Sequence, residues 1–135
     1  MINFAIVEDD ARFSKSLRRV VESNREYVCV GIYNNGKDAL ERIPGHAPDM
    51  VIMDLNLPDM PGAEVTAQLK LMIPDLRIII LTVYNDSESI FRALRAGASG
   101  YLLKQATAQE IVEAIREVHR GGAPMTSEIA RKVIP

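Results

Sequence analysis

The segment RIIILTVYNDSESIFRALRAGASGYLLK, residues 77–104, holds a complete strand–helix–strand unit. Arg77 to Thr82 is a short apolar run rich in isoleucine, and its brevity suits a strand. Asn85 and Glu88 have the spacing of a capping box, which predicts a helix start. Ile90, Phe91 and Leu94 would form that helix's inner face. Gly97 follows where a left-handed residue can close a helix, and Tyr101 to Leu103 is the next apolar run. Strands apolar along their whole length, joined through amphipathic helices, lie parallel in a sheet covered on both faces. The crossovers are expected to be right-handed.

The same alternation extends outward in both directions. Upstream, Ile2 to Val7, Tyr27 to Tyr33 and Met50 to Met53 read as strands. Between them, Phe13, Leu17, Val20 and Val21 mark one helix. Ala39, Leu40 and Ile43 mark a second, expected to stop at Pro44-Gly45. Pro61 suits the first turn of a third helix, where its missing N–H costs nothing. Val65, Leu69 and Met72 are that helix's stripe, and Pro74 ends it. Downstream, Thr107 and Glu110 form another capping box before the stripe Ile111, Ile115, Val118, and Gly121-Gly122 ends that helix. Thr126 is expected to cap a last short helix, Ser127 to Val133. The fold class is therefore α/β: a five-stranded parallel sheet in the flavodoxin-like order 2-1-3-4-5, with helices on both faces.

Composition agrees. The chain has 135 residues, 47% hydrophobic and 25% charged, with a formal net charge of −2. That balance excludes a disordered chain and a disulfide scaffold, and gives no electrostatic footprint for nucleic acid. No apolar run approaches the ~20 residues of a membrane span. The N-terminal strand runs into acidic residues with no basic segment before it, so it does not read as a signal peptide. The one cysteine, Cys29, sits in an apolar run and reads as a small buried residue. A cytoplasmic location is expected.

In an open parallel sheet, ligands bind beyond the carboxyl ends of the strands. Those ends carry Glu8, Asp9 and Asp10 on the first strand, Asp54 on the third, Thr82 on the fourth and Lys104 on the fifth. Clustered carboxylates repel unless a cation or proton sits among them. Oxygen-only ligands suit Mg²⁺, and no histidine or cysteine falls near the cluster to suggest zinc. A divalent ion with an adjacent lysine and threonine is a clamp for a phosphoryl group, and an aspartate beside them can be the nucleophile.

The motifs Val7-Glu8-Asp9-Asp10, Asp54-Leu-Asn-Leu-Pro58, Leu81-Thr82 and Gly97-Ala-Ser-Gly-Tyr-Leu-Leu-Lys104 occur in order, each at an expected strand end. Together they resemble the receiver domain of two-component response regulators. The resemblance implies that Asp54 is the phosphoacceptor, serving a sensor histidine kinase. It implies Mg²⁺, or Mn²⁺, held by Asp9, Asp54 and the backbone carbonyl of Asn56, with Glu8 acting through water. Thr82 would hydrogen-bond the phosphoryl group. Lys104 would pair with Asp54 before reaction and with the phosphoryl group after it. Tyr101 matches the aromatic switch position, whose ring moves inward as the Thr82 hydroxyl moves toward the phosphate. Tyr84 falls where the family tunes phosphoryl lifetime, and its ring is expected to shield the aspartyl phosphate. The exposed face from Ile90 to Tyr101 would repack on phosphorylation.

Many receivers have proline after the lysine in a cis bond. Here Gln105 follows, and a trans bond is expected. The run Gly-Tyr-Leu-Leu-Lys-Gln-Ala106 resembles receivers joined to LuxR-type helix-turn-helix domains. On that reading residues 1–121 are the receiver, and residues 122–135 are a linker that begins a short helix toward a DNA-binding domain. A second copy of the chain is the other candidate partner, and no membrane partner is implied. Two further functions compete. An aspartate-dependent phosphohydrolase would want an acid where Asn56 stands. A phosphorylation-independent interaction module would not need the acids, the threonine and the lysine that are all present. Asp10 reads as a helix cap rather than a metal ligand, and His46, in a Gly-His-Ala-Pro loop, and His119 carry no signal.

Overall fold

The computed structural model describes residues 1–134. Five strands, β1 (Ile2–Val7), β2 (Tyr27–Tyr33), β3 (Met50–Met53), β4 (Arg77–Thr82) and β5 (Gly100–Leu103), form one parallel sheet in the order β2-β1-β3-β4-β5. The helices are α1 (Ala11–Glu22), α2 (Gly36–His46), α3 (Gly62–Met72), α4 (Ser87–Arg95), α5 (Ala108–His119) and α6 (Ser127–Val133).

The strands bury both faces, as their unbroken apolar runs require. Alternate residues serve opposite layers. Ala5, Val7, Ile78 and Ile80 pack with α2, α3 and α4 through Ala39, Ile43, Val65, Leu69, Ile90 and Ala93. Phe4, Ile6, Ile79 and Leu81 pack with α1 and α5 through Leu17, Val21, Ile111, Ala114, Ile115 and Val118. Cys29 is buried and free. The capping box on α5 forms as expected, with Thr107 Oγ1 accepting from the Glu110 N–H at 3.1 Å and Glu110 accepting from the Thr107 N–H at 2.9 Å.

Several local expectations are corrected. Pro44 does not stop α2; it lies inside the helix, which runs to His46 and ends at a left-handed Ala47. Proline's fixed φ is helical, and near a C-terminus it forfeits little more than its own bond. His46 is consequently in the last helical turn, where its Nδ1 meets the Tyr33 hydroxyl and its ring stacks on Tyr33. Pro61 is the residue before α3 rather than its first turn, with extended backbone at ψ 140°. Asp86, not Asn85, caps α4: its carboxylate accepts from the Ser89 N–H at 3.0 Å. The Asn85 amide instead donates to Glu128 at 2.7 Å. Phe91 is left exposed, because Ile90 and Ala93 take the inner face. Met72 is also exposed, since the chain leaves the helix before Pro74 and Leu76 takes the core position.

The tail also differs from expectation. Thr126 precedes α6, but its hydroxyl does not cap that helix; it accepts from the Leu103 N–H at 3.3 Å. Residues 124–126 run beside the β5 edge, where Tyr101 N–H donates to the Pro124 carbonyl (3.0 Å) and Thr126 N–H donates to the Tyr101 carbonyl (3.2 Å). Ile129 is fully buried in the layer that holds Ile90, Ala93, Tyr101 and Leu103. Of the stretch from Ile90 to Tyr101, the side holding Ile90, Ala93 and Tyr101 is thus buried with Ile129 of α6, while Phe91, Arg92 and Arg95 stay exposed. The final residue of the expected linker, Pro135, lies outside the described residues.

Backbone N–H donors hold the carboxyls of Asp59, Asp86 and Glu110 below the usual carboxylate range. Asp59 reaches across from the loop after β3 to accept from the Gly36 and Lys37 N–H groups at 2.8 Å each, fastening that loop to the start of α2. A carboxyl lowered on folding contributes stability that is complete above its unfolded pKa, near about 4, and is lost as pH falls through its folded value. Acid titration followed by circular dichroism should therefore show stability falling below about pH 4. Asp59→Asn should be less stable than the parent at neutral pH, and the gap should close as both are acidified.

Candidate functional site

Parallel pairing brings the carboxyl ends of four strands to one edge. Asp54 N–H donates to the Val7 carbonyl at 3.0 Å, Lys104 N–H to the Thr82 carbonyl at 2.8 Å and Glu8 N–H to the Tyr33 carbonyl at 2.9 Å. The backbone of these three residues is therefore locked to a neighbouring strand. Asp54 is only 6% exposed and Glu8 only 2%. Lys104 Nζ lies 2.6 Å from Glu8 Oε1 and 3.1 Å from Asp54 Oδ2, bridging the two carboxylates. It also lies 4.4 Å from the centre of the Phe13 ring, a cation–π contact. Glu8 Oε2 accepts the Asp10 N–H at 3.0 Å, while Asp10 caps α1 through the Arg12 and Phe13 N–H groups. Asp10 is thus a cap, as the sequence indicates.

Asp9 is exposed and completes the cluster: one carboxylate oxygen from each of Glu8, Asp9 and Asp54 lies within 4.8 Å of the others. Three carboxylates against one ammonium leave the site formally short of positive charge. Burial pushes the Glu8 carboxyl up, opposed by its hydrogen bond from Lys104. Burial alone would pull the Lys104 ammonium down, but the bonds to Glu8 and Asp54 more than offset it and its pKa is raised. The donor set is all oxygen and part solvent-facing, which fits a hard divalent cation that keeps some of its water.

Thr82 is fully buried, and its Oγ1 is the buried side-chain polar atom without a hydrogen-bond partner among the described residues. Such an atom costs free energy until something bonds to it. Asn56 is exposed in the loop after Asp54, and its N–H points at Asp54 Oδ1 from 3.4 Å. Tyr101 is fully buried, with its hydroxyl donating to the Tyr84 carbonyl at 2.8 Å. Burial raises the phenol's pKa. The Tyr84 ring is partly exposed and borders a small cavity with Leu55, Pro61 and Arg92. The Lys104–Gln105 peptide is trans, as expected.

Three further residues, outside the strand-end motifs, support the site. Gly62 begins α3 so close to the β3 end that a Cβ would lie 2.1 Å from the Asp54 carbonyl oxygen. Only glycine permits that approach, and Gly62 N–H donates to Leu55 at 2.8 Å to close the loop. Asp59 anchors the same loop from its far side, and Phe13 supplies the ring under Lys104. A glycine directly after Pro61 was the one visible signal; the other two depend on contacts distant in sequence.

The sheet order and the acidic strand ends define a flavodoxin-like α/β domain that carries its site at the sheet's carboxyl edge. The chain belongs to the response regulator receiver domain family, which matches residues 4–116. It is 35% identical over 133 residues to the response regulator UvrY of Escherichia coli and 31% identical over 133 residues to the transcriptional regulatory protein DegU of Brevibacillus brevis. Each match covers 98% of this chain but only 61% and 56% of those proteins, so the chain spans little more than half their length. Among solved structures, a two-component response regulator of the LuxR family from Aurantimonas is similar, with a TM-score of 0.92, 30% identity and coverage of 97% of this chain and 94% of that one. The isolated REC domain of RcsB from Salmonella enterica, solved with the phosphomimetic BeF3−, shares the fold at a TM-score of 0.90 and 22% identity, with 97% of each chain covered.

Proposed function

We propose that the chain is a phosphorylation-activated signalling switch in which Asp54 accepts a phosphoryl group from a sensor histidine kinase. The observation that carries the reading is the Lys104 bridge. One ammonium holds Glu8 and Asp54 together at the edge of the sheet, beside an exposed Asp9 and a buried hydroxyl that lacks a partner. Family membership supports it.

A carboxylate oxygen of Asp54 is the nucleophile, and the Lys104 ammonium, bonded to the other oxygen, keeps it oriented. Asp9, Asp54 and the Asn56 carbonyl would hold Mg²⁺ (or Mn²⁺), with Glu8 acting through water, and the bound ion would neutralise charge on the phosphoryl oxygens. Lys104 then moves its hydrogen bond from Asp54 to a phosphoryl oxygen, and Thr82 Oγ1 gains the partner it lacks. Tyr101, in its inward position, fixes the loop that follows Thr82. The Tyr84 ring shields the aspartyl phosphate from water. The chain promotes its own modification and does not turn over a substrate.

The relatives' regulatory names and greater length support residues 1–121 as the receiver and 122–135 as a linker toward a DNA-binding domain. DNA would be contacted only through that domain, and a second copy of the chain is a candidate partner after phosphorylation. A cytoplasmic site of action belongs to the same reading; among the described residues, no helix is long and apolar enough to cross a membrane.

Incubation with acetyl phosphate and Mg²⁺, followed by intact mass measurement, tests the reading. One phosphoryl adduct is expected, absent from Asp54→Asn and from samples treated with a metal chelator. A folded chain that takes no adduct from any small phosphodonor would overturn it.

A further inference from the structure

The tail is bonded to the two segments that flank the site's unpartnered hydroxyl. The first is the loop after Thr82, residues 83–86. There the Asn85 side chain donates to Glu128 at 2.7 Å, and the Asn85 carbonyl accepts from Lys132 Nζ. The second is β5, where the tail grips Tyr101 by both its N–H and its carbonyl and takes the Leu103 N–H through Thr126. Tyr101 joins the two segments, since its hydroxyl donates to the Tyr84 carbonyl.

A helix of seven residues cannot persist alone in water. α6 is therefore helical because it is docked, with Ile129 fully buried among α4 and β5 side chains. In the docked state the Thr82 hydroxyl is buried and uncommitted, which leaves it free for a phosphoryl oxygen.

We propose that α6 is a clamp: docked on α4 and β5, it holds Tyr101 inward and fixes the 83–86 loop, so that tail docking and phosphoryl occupancy at Asp54 favour each other. The inference rests on the phosphoacceptor reading of Asp54. Coupling of this kind is reciprocal. A group bound at Asp54 tightens the tail, and loosening the tail weakens binding at Asp54.

The test uses the full chain in two arms. In the first, hydrogen exchange is followed in residues 127–134 before and after acetyl phosphate treatment, with the adduct verified by mass. Ala130 and Ile134 report directly, because their N–H groups donate to Thr126 and Ala130. About fivefold slower exchange is expected in the phosphorylated chain, within the usual span of allosteric coupling. In the second arm, beryllofluoride with Mg²⁺ is titrated into the parent and into Ile129→Ser, whose folding is checked by circular dichroism. About fivefold weaker binding is expected, together with faster exchange in residues 83–86. An adduct with unchanged or faster tail exchange overturns the clamp and leaves the phosphoacceptor reading intact, as does unchanged or tighter beryllofluoride binding in a folded Ile129→Ser. A parent chain that forms no adduct overturns both.

Discussion

Lys104→Ala is expected to cost about 3 kcal/mol of folding stability in metal-free buffer at neutral pH, and added Mg²⁺ is expected to return a large part of it. The ammonium lies 2.6 Å from one carboxylate and 3.1 Å from another, and the side chains of Glu8 and Asp54 are only 3% and 7% exposed. Removing one member of a buried ion pair costs about 3–5 kcal/mol, because the charge left behind is neither solvated nor paired. The low end applies here. The Lys104 side chain is 19% exposed, so water enters the space it vacates. Glu8 also has a second course open to it. Burial already pushes its carboxyl up, and the Lys104 hydrogen bond opposes that rise. Without Lys104 the folded value climbs further. A carboxyl raised on folding contributes stability that is present below its unfolded pKa and lost as pH rises through its folded one. The variant should therefore lose less relative to the parent at pH 5 than at pH 7. A divalent ion among the same carboxylates acts by mass action, so the urea midpoint should rise with Mg²⁺ concentration more steeply in the variant than in the parent. A variant as stable as the parent at pH 7 without metal would show that the Lys104 bridge has no structural role.

The strands were legible because their signal is local. Arg77 to Thr82 and Met50 to Met53 are too short and too apolar for anything but buried strands, and right-handed crossovers then restrict the sheet order. The α5 cap was legible for the same reason, since the Thr107 and Glu110 side chains each accept from the other residue's backbone N–H. Asn85 and Asp86 are adjacent polar residues with equal local claims on the α4 cap. What decides between them is Glu128, more than forty residues away, which takes the Asn85 amide. Thr126 is drawn off its own helix by Leu103 in the same manner. Pro44 stayed inside α2 because the loss of one N–H near a helix end is minor. The gathering of Glu8, Asp9, Asp54, Thr82 and Lys104 followed from topology, since parallel strands put all their carboxyl ends together. Their bonding did not. That Lys104 bridges Glu8 as well as Asp54, that Gly62 touches the Asp54 backbone and that Thr82 Oγ1 has no partner are facts of three-dimensional packing.

That last fact separates folding from function at one atom. Thr82→Val is expected to leave stability unchanged or raise it by about 1 kcal/mol, while weakening beryllofluoride binding about tenfold. A buried hydroxyl without a partner carries an unrecovered desolvation cost, and an apolar group of the same shape removes it. Valine keeps the branched shape in a fully buried position of β4, so little repacking is needed. The same substitution deletes the donor proposed for a phosphoryl oxygen. A hydrogen bond to a charged group contributes about 1.5–3 kcal/mol, and about 1.4 kcal/mol is a factor of ten in affinity. Urea denaturation should therefore show stability held or raised while beryllofluoride binding falls, which a merely structural threonine would not produce. Thr82→Ser provides the converse. It keeps the hydroxyl and deletes the methyl, so binding should be retained while the buried side chain loses about 1 kcal/mol of packing. If valine and serine weakened binding equally, the methyl rather than the hydroxyl would be what the site requires, and Thr82 would hold the sheet edge rather than the phosphoryl group.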